Sequence, residues 1–185
     1  MQYVYHGSYI PNLKIIKRNN STHNQALVYA THSKIIAAIF SSKKHSDLYY
    51  SLSGNGITSK ITLVERKKGM FKDIFNTKGY IYSLDKKNFQ IGKTGWSAEV
   101  VSTCDEKVIK EEVITNIYNE LIKQNKKGNI ALYLYPNRPS FIPLDNSDLI
   151  PKIAKYHKDS NIVKAFIELY PELKDKLYKE IEKST

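Results

Sequence analysis

The sequence predicts an α+β fold built mainly from antiparallel strands. Short strand-like runs recur along the chain, with helical segments inserted at irregular intervals, and this is not the strict alternation of a parallel α/β sheet. Toward the C-terminus the apolar period lengthens to that of a helix. The glycine fingerprint of a doubly wound dinucleotide fold is missing: Gly54-Asn55-Gly56 lacks a third glycine and opens no helix.

Taken in order, Tyr3-Val4-Tyr5 reads as a first strand and residues 10–26, rich in Asn, Ser and Pro, as a loop. Leu27 to Ala30 reads as a second strand. A helix follows from about Ser33 to Ser41, with Ile35, Ile36, Ile39 and Phe40 on one face and Thr31 or Ser33 as its cap. Residues 42–47 form a charged break, and Gly54-Asn55-Gly56 is a turn signal. Ile57 to Glu65, Gly79 to Leu84 and Glu99 to Ser102 read as strands, the last suited to a sheet interior. Thr103-Cys104-Asp105-Glu106 matches a capping box. Ile109, Val113, Ile117 and Leu121 then predict one helix to about Lys123. Asn129 to Tyr135 predicts another strand, closed by Pro136 and Pro139. Beyond Asp148 the chain is helical in pieces: Pro151 suits a first turn, and Pro171 divides helices near 161–169 and 172–182. Ile162, Phe166, Leu169, Leu173, Leu177 and Ile181 are expected to face inward. The expected organisation is a core over residues 1–145 with a helical extension over 146–185, packed as one compact unit.

A length of 185 residues can bury a substantial core, and 41% hydrophobic with 11% aromatic residues excludes a disordered chain. The fourteen tyrosines suit wide, semi-polar surfaces. The net charge of +11 comes almost entirely from lysine, with Arg18, Arg66 and Arg138 the three arginines. One reading is attraction to an anionic partner. The simpler reading is compositional, because Lys, Asn, Ile and Tyr rise together as in an A/T-rich coding sequence, and the Arg fork favoured by nucleic-acid readers is scarce. Cys104 is the single cysteine, which excludes an intrachain disulfide and a cysteine-rich zinc site. His23, His32, His45 and His157 show no metal-ligand spacing, so no metal is expected. No apolar run approaches the ~18 residues that span a bilayer, and the start lacks a basic segment followed by an apolar one. A soluble, cytoplasmic protein without membrane contact is expected.

Three short motifs carry the chemistry: Tyr5-His6-Gly7-Ser8, then Val28-Tyr29-Ala30-Thr31 with Phe40 eleven residues after Tyr29, then Glu99-Val100-Val101-Ser102. In that order and at strand edges, the set resembles the His-Tyr-Glu branch of the ADP-ribosyltransferases, which includes the diphtheria-toxin-like and poly-ADP-ribose-polymerase-like enzymes. The resemblance covers residues 3–41 and 79–103 and says little about 104–185. It implies a split β-sandwich with a helical C-terminal tail, and NAD as the substrate whose nicotinamide–ribose bond is broken. ADP-ribose would pass to an unknown protein or nucleic-acid acceptor, or to water. Glu99 matches the catalytic acid, His6 the residue that hydrogen-bonds the adenosine ribose, and Ser8 the small hydroxyl residue beside it. Gly7 matches the glycine whose backbone holds the carboxamide. Tyr29, followed by Ala30, and Phe40 match the two stacking positions, Phe40 replacing a tyrosine often found there. The chemistry agrees: a carboxylate under the ribose stabilises oxocarbenium-like charge, and two aromatics clamp a flat ring.

The departures are equally specific. Ser97 stands where the arginine-modifying branch carries a second acid, which removes that route to an arginine acceptor. Tyr5 stands where RNA 2′-phosphotransferases place an arginine before the His-Gly pair, leaving Arg18 and Arg66 as substitutes for phosphate binding. Two alternatives therefore stay open: a catalytically inactive NAD- or ADP-ribose-binding module on the same fold, and an RNA 2′-phosphotransferase-like nucleic-acid-modifying protein. Trp96 is left between packing and lining a cleft.

Overall fold

The computed structural model describes residues 2–20, 25–156 and 159–184. The fold is α+β, with a larger antiparallel sheet, a smaller second sheet and a helical C-terminus. The first strand, β1 (Tyr3–Ser8), lies inside the larger sheet and pairs along its whole length with β7 (Gly79–Asp85). Its other neighbour is β4 (Ala26–Thr31), whose ladder with β1 is the single register pair Tyr5 opposite Thr31. β4 in turn pairs with β9 (Glu99–Ser102), placing Thr31 opposite Glu99. The two-residue strands β2 (Ile15–Ile16) and β3 (Asn19–Asn20) lie within the segment expected to be a loop, and β8 (Gln90–Ile91) flanks β9. The expected interior place of residues 99–102 is thus realised.

The smaller sheet holds β5 (Tyr50–Ser53), β6 (Ile61–Glu65) and β11 (Ile130–Tyr133). β5 runs antiparallel to β6, and β11 runs parallel to it. Residues 57–60, expected to begin a strand, instead belong to the turn. The Asn55 Oδ1 accepts the amides of Ile57, Thr58 and Ser59, and this Asx geometry outcompetes ladder pairing.

The largest correction falls on residues 103–116. They form no helix: Glu106–Ile114 is strand β10, paired with β7, and the helix begins only at α3 (Ile117–Lys126). The presumed capping-box acid has another use. Buried Glu106 accepts the Ser102 hydroxyl at 2.5 Å, fixing the 102–106 turn. Ile109 and Val113 fit a helical stripe by spacing alone, but β-branched residues also fit a pleated surface, and long-range pairing with β7 decides. Both are exposed, whereas Ile117 and Leu121 are buried as expected. The short helix α2 (Met70–Phe75) and strand β5 were not anticipated.

Helix α1 (Lys34–Phe40) starts with Ser33 as its cap, its Oγ accepting the Ile36 amide. It sits directly on β1. A Cβ added at Gly7 would lie 1.9 Å from the Ala37 carbonyl oxygen, and one at Gly79 would lie 2.0 Å from the Ser41 Oγ. Both glycines are therefore required by close approach.

The C-terminal helices, α4 (Ile150–Ala154), α5 (Ser160–Leu169) and α6 (Lys174–Ser184), form their own apolar cluster, with Phe166, Tyr170, Leu173 and Leu177 at its centre and Ile162, Leu169 and Ile181 packed around it. Leu48, from the segment between α1 and β5, completes it. Pro151 occupies the first turn of α4 and Pro171 breaks the chain between α5 and α6, both as expected. Polar bonds reinforce the attachment. The Tyr170 hydroxyl donates to the Leu48 carbonyl at 2.5 Å. Arg66, fully buried, makes a bidentate pair with Asp148 at 2.9 and 2.8 Å. Asn146 and Arg138 close the same network, both donating to the Arg66 carbonyl.

These contacts set the stability of three variants. Asp148→Ala leaves a buried guanidinium without its counter-charge and is expected to cost about 3 kcal/mol, read as a shifted urea midpoint. Gly7→Ala meets backbone that cannot rotate away and is expected to cost at least about 3 kcal/mol. Gly79→Ala meets the Ser41 side chain, whose hydroxyl can move only by giving up its bond to the Ala38 carbonyl, so it too should lower the urea midpoint, but by less than Gly7→Ala, which meets backbone.

Candidate active site

A cavity of about 340 Å³ opens where β1, β4, α1 and β9 meet, at the lower end of the range for ligand sites, ~300–1,000 Å³. His6, Gly7, Tyr29, Ala30, Phe40 and Glu99 all line it. Residues widely separated in sequence thus share one wall, as the motif order leads one to expect. Ser8 is the exception: it is buried outside the lining, and its Oγ accepts the Ile10 amide.

His6 is positioned by the short ladder between β1 and β4. Its Nδ1 lies 2.7 Å from the Tyr29 carbonyl. A carbonyl only accepts, so Nδ1 carries the proton and Nε2 is left as an acceptor. Burial holds the imidazole pKa below its ordinary 6.5, opposed in part by the bond to the carbonyl. His6 is therefore a neutral imidazole that accepts a hydrogen bond through Nε2, the form suited to a sugar hydroxyl.

Glu99 opens β9 half-buried, its amide donating to the Trp96 carbonyl at 3.1 Å. That turn carries Trp96 back over the cavity, where its indole meets Phe40 edge-on, with centroids 6.0 Å apart. Trp96 thus both packs and lines the cleft. Tyr5, Asn19, Thr31, Ala37 and His45 complete the lining, and of these Asn19 and His45 were not expected at a site from the sequence. A signal existed for His45, which follows the helix bearing Phe40 by only a few residues; Asn19 had none, because its place depends on the pairing of β3 with β4.

Other expected features lie elsewhere. Ser97 is not part of the cavity lining, and its hydroxyl accepts from the Asn55 amide group at 3.2 Å. Arg18 pairs on the surface with Asp105 at 3.0 Å, and Arg66 is sealed in the network described above. Neither lines the cavity. Among the described residues no cluster of three or more His, Cys, Asp or Glu side chains could hold a metal ion; His23 and His157 lie outside the described residues. No helix among the described residues is long and apolar enough to cross a membrane. Comparison with protein-family models, with curated proteins and with solved structures found no match.

The depressed His6 value has a defined sign. The unfolded chain binds a proton near pH 6.5 that the fold resists, so stability is complete above that pH and falls as the pH drops below it. Thermal melts of wild type and His6→Gln between pH 7.5 and pH 5 should show a smaller loss in the variant. Parallel curves would place the acid sensitivity in other groups.

Proposed function

We propose that the protein binds NAD in this cavity and breaks its nicotinamide–ribose bond, passing ADP-ribose to an acceptor or to water, as the ADP-ribosyltransferases it resembles do. The supporting observation is the convergence of His6, Gly7, Tyr29, Phe40 and Glu99 on one cavity. In this reading the nicotinamide ring lies between Tyr29 and Phe40, whose flat faces exclude water. The Gly7 backbone holds the carboxamide. The neutral His6 accepts a hydrogen bond from a ribose hydroxyl at Nε2, the proton staying on the oxygen, and so adds no positive charge beside a cationic substrate. Glu99 places a negative charge against the ribose as the glycosidic bond lengthens, which lowers the energy of the oxocarbenium-like state relative to bound NAD. The acceptor, protein or nucleic acid, is met in the cytoplasm.

The RNA 2′-phosphotransferase alternative has less support, since neither Arg18 nor Arg66 lines the cavity and Arg66 is buried in its pair with Asp148. A binding module without turnover differs from the enzyme only in outcome. The deciding experiment is nicotinamide release from NAD. Wild type is expected to turn over. Glu99→Gln should lower kcat by about 10²–10³-fold, and Tyr29→Ala should raise KM for NAD by about tenfold, the order expected for losing one aromatic clamp. Saturable NAD binding with identical background release from wild type and Glu99→Gln would leave a binding module; absence of saturable binding would end the reading.

A further inference from the structure

Phe40, Trp96 and His45 also line a second cavity of about 340 Å³, completed by Ser46, Asp47, Tyr50 and Leu52. His45 thus borders both this cavity and the one that holds Glu99. It is exposed, and its ring meets the Phe40 edge at 5.5 Å, nearly perpendicular. Among the described residues neither ring nitrogen has a hydrogen-bond partner. The segment bearing it is held from both ends: the Ser42 hydroxyl donates to the Lys44 carbonyl at 2.8 Å, and Asp47 pairs with Lys152 at 2.9 Å.

We propose that His45 is the general base of the reaction, taking the proton of a hydroxyl-bearing acceptor that enters through the second cavity. This rests on the NAD reading above. The assignment follows by elimination among the titratable groups of the first cavity, Tyr5, His6, Tyr29, His45 and Glu99. His6 has its Nδ1 proton committed to the Tyr29 carbonyl, and burial opposes a second proton. Glu99 must keep its charge while the ribose is cationic, so protonating it would remove the stabilisation when that is greatest. Phenols are protonated at neutral pH and are poor bases. Imidazole is the side chain that most readily exchanges a proton near neutrality, and an exposed one returns it to water. In the step, the acceptor O–H bond breaks and its proton passes to the His45 ring nitrogen. The freed oxygen pair forms the new bond to ribose C1′. The C1′–N bond breaks with its electrons moving to the pyridinium ring, releasing neutral nicotinamide, and His45 then loses the proton to solvent.

The test uses the full chain with NAD and methanol as probe acceptor, following methyl-ADP-ribose and nicotinamide together. His45→Phe keeps a ring against Phe40 and removes the base; His45→Gln keeps polarity and removes the base. Both are expected to lower kcat for methyl-ADP-ribose formation by about 10²-fold or more, with KM for NAD and the melting temperature close to wild type. Either variant within about threefold of wild-type kcat overturns the assignment and leaves the NAD reading standing. Wild type that hydrolyses NAD without forming the methyl product, or that binds NAD without releasing nicotinamide, also overturns it. Failure of wild type to bind NAD at all overturns the reading beneath it.

Discussion

The site depends on one close approach, the backbone of β1 at Gly7 against the backbone of α1 at Ala37. With no side chain between them, the helix lies flat on the strand and its last residue, Phe40, falls over the cavity that His6 enters from the strand. A larger residue at position 7 would lift the helix and separate the aromatic wall from the imidazole. The Ser41 side chain lies against Gly79 of the neighbouring β7, so the end of the same helix is held close to the sheet at a second glycine.

Much of this was legible in the sequence because it rests on local signals. The His-Gly pair, the small helix with its serine cap and the β-branched run after Glu99 each announce their structure within a few residues. The failure at residues 103–116 has a physical cause: Ile109 and Val113 are spaced alike for a helix and for alternate positions of a strand, and only the partner strand resolves the choice. β7 lies some distance upstream, and nothing local reports that its outer edge is open. The same applies to the site. Side chains within the motifs were readable, and His45 stands close after Phe40 in the chain, whereas Asn19 reaches the cavity through a strand pairing that no short window contains. Ser8 shows the converse, since its place beside Gly7 in sequence did not bring it into the lining.

The two cavity imidazoles show how environment separates identical side chains. His6 is largely shielded from solvent and tied to a carbonyl, which sets its tautomer and disfavours its charged form. His45 is open to solvent, its ring set against the edge of Phe40. A similar contrast divides the arginines: Arg18 is a surface partner, while Arg66 sits where its charge must be matched from the C-terminal segment.

That last arrangement makes the tail part of the site's mechanics. Leu48 belongs to the apolar cluster of the C-terminal helices and gives its carbonyl to Tyr170, and the adjoining Asp47 is paired with Lys152 on α4. The segment anchored this way is the one that presents His45. The final forty or so residues therefore act as a splint on one rim of the pocket. Loosening that splint would be felt first as a slackened rim, with every residue of the three sequence motifs still in place.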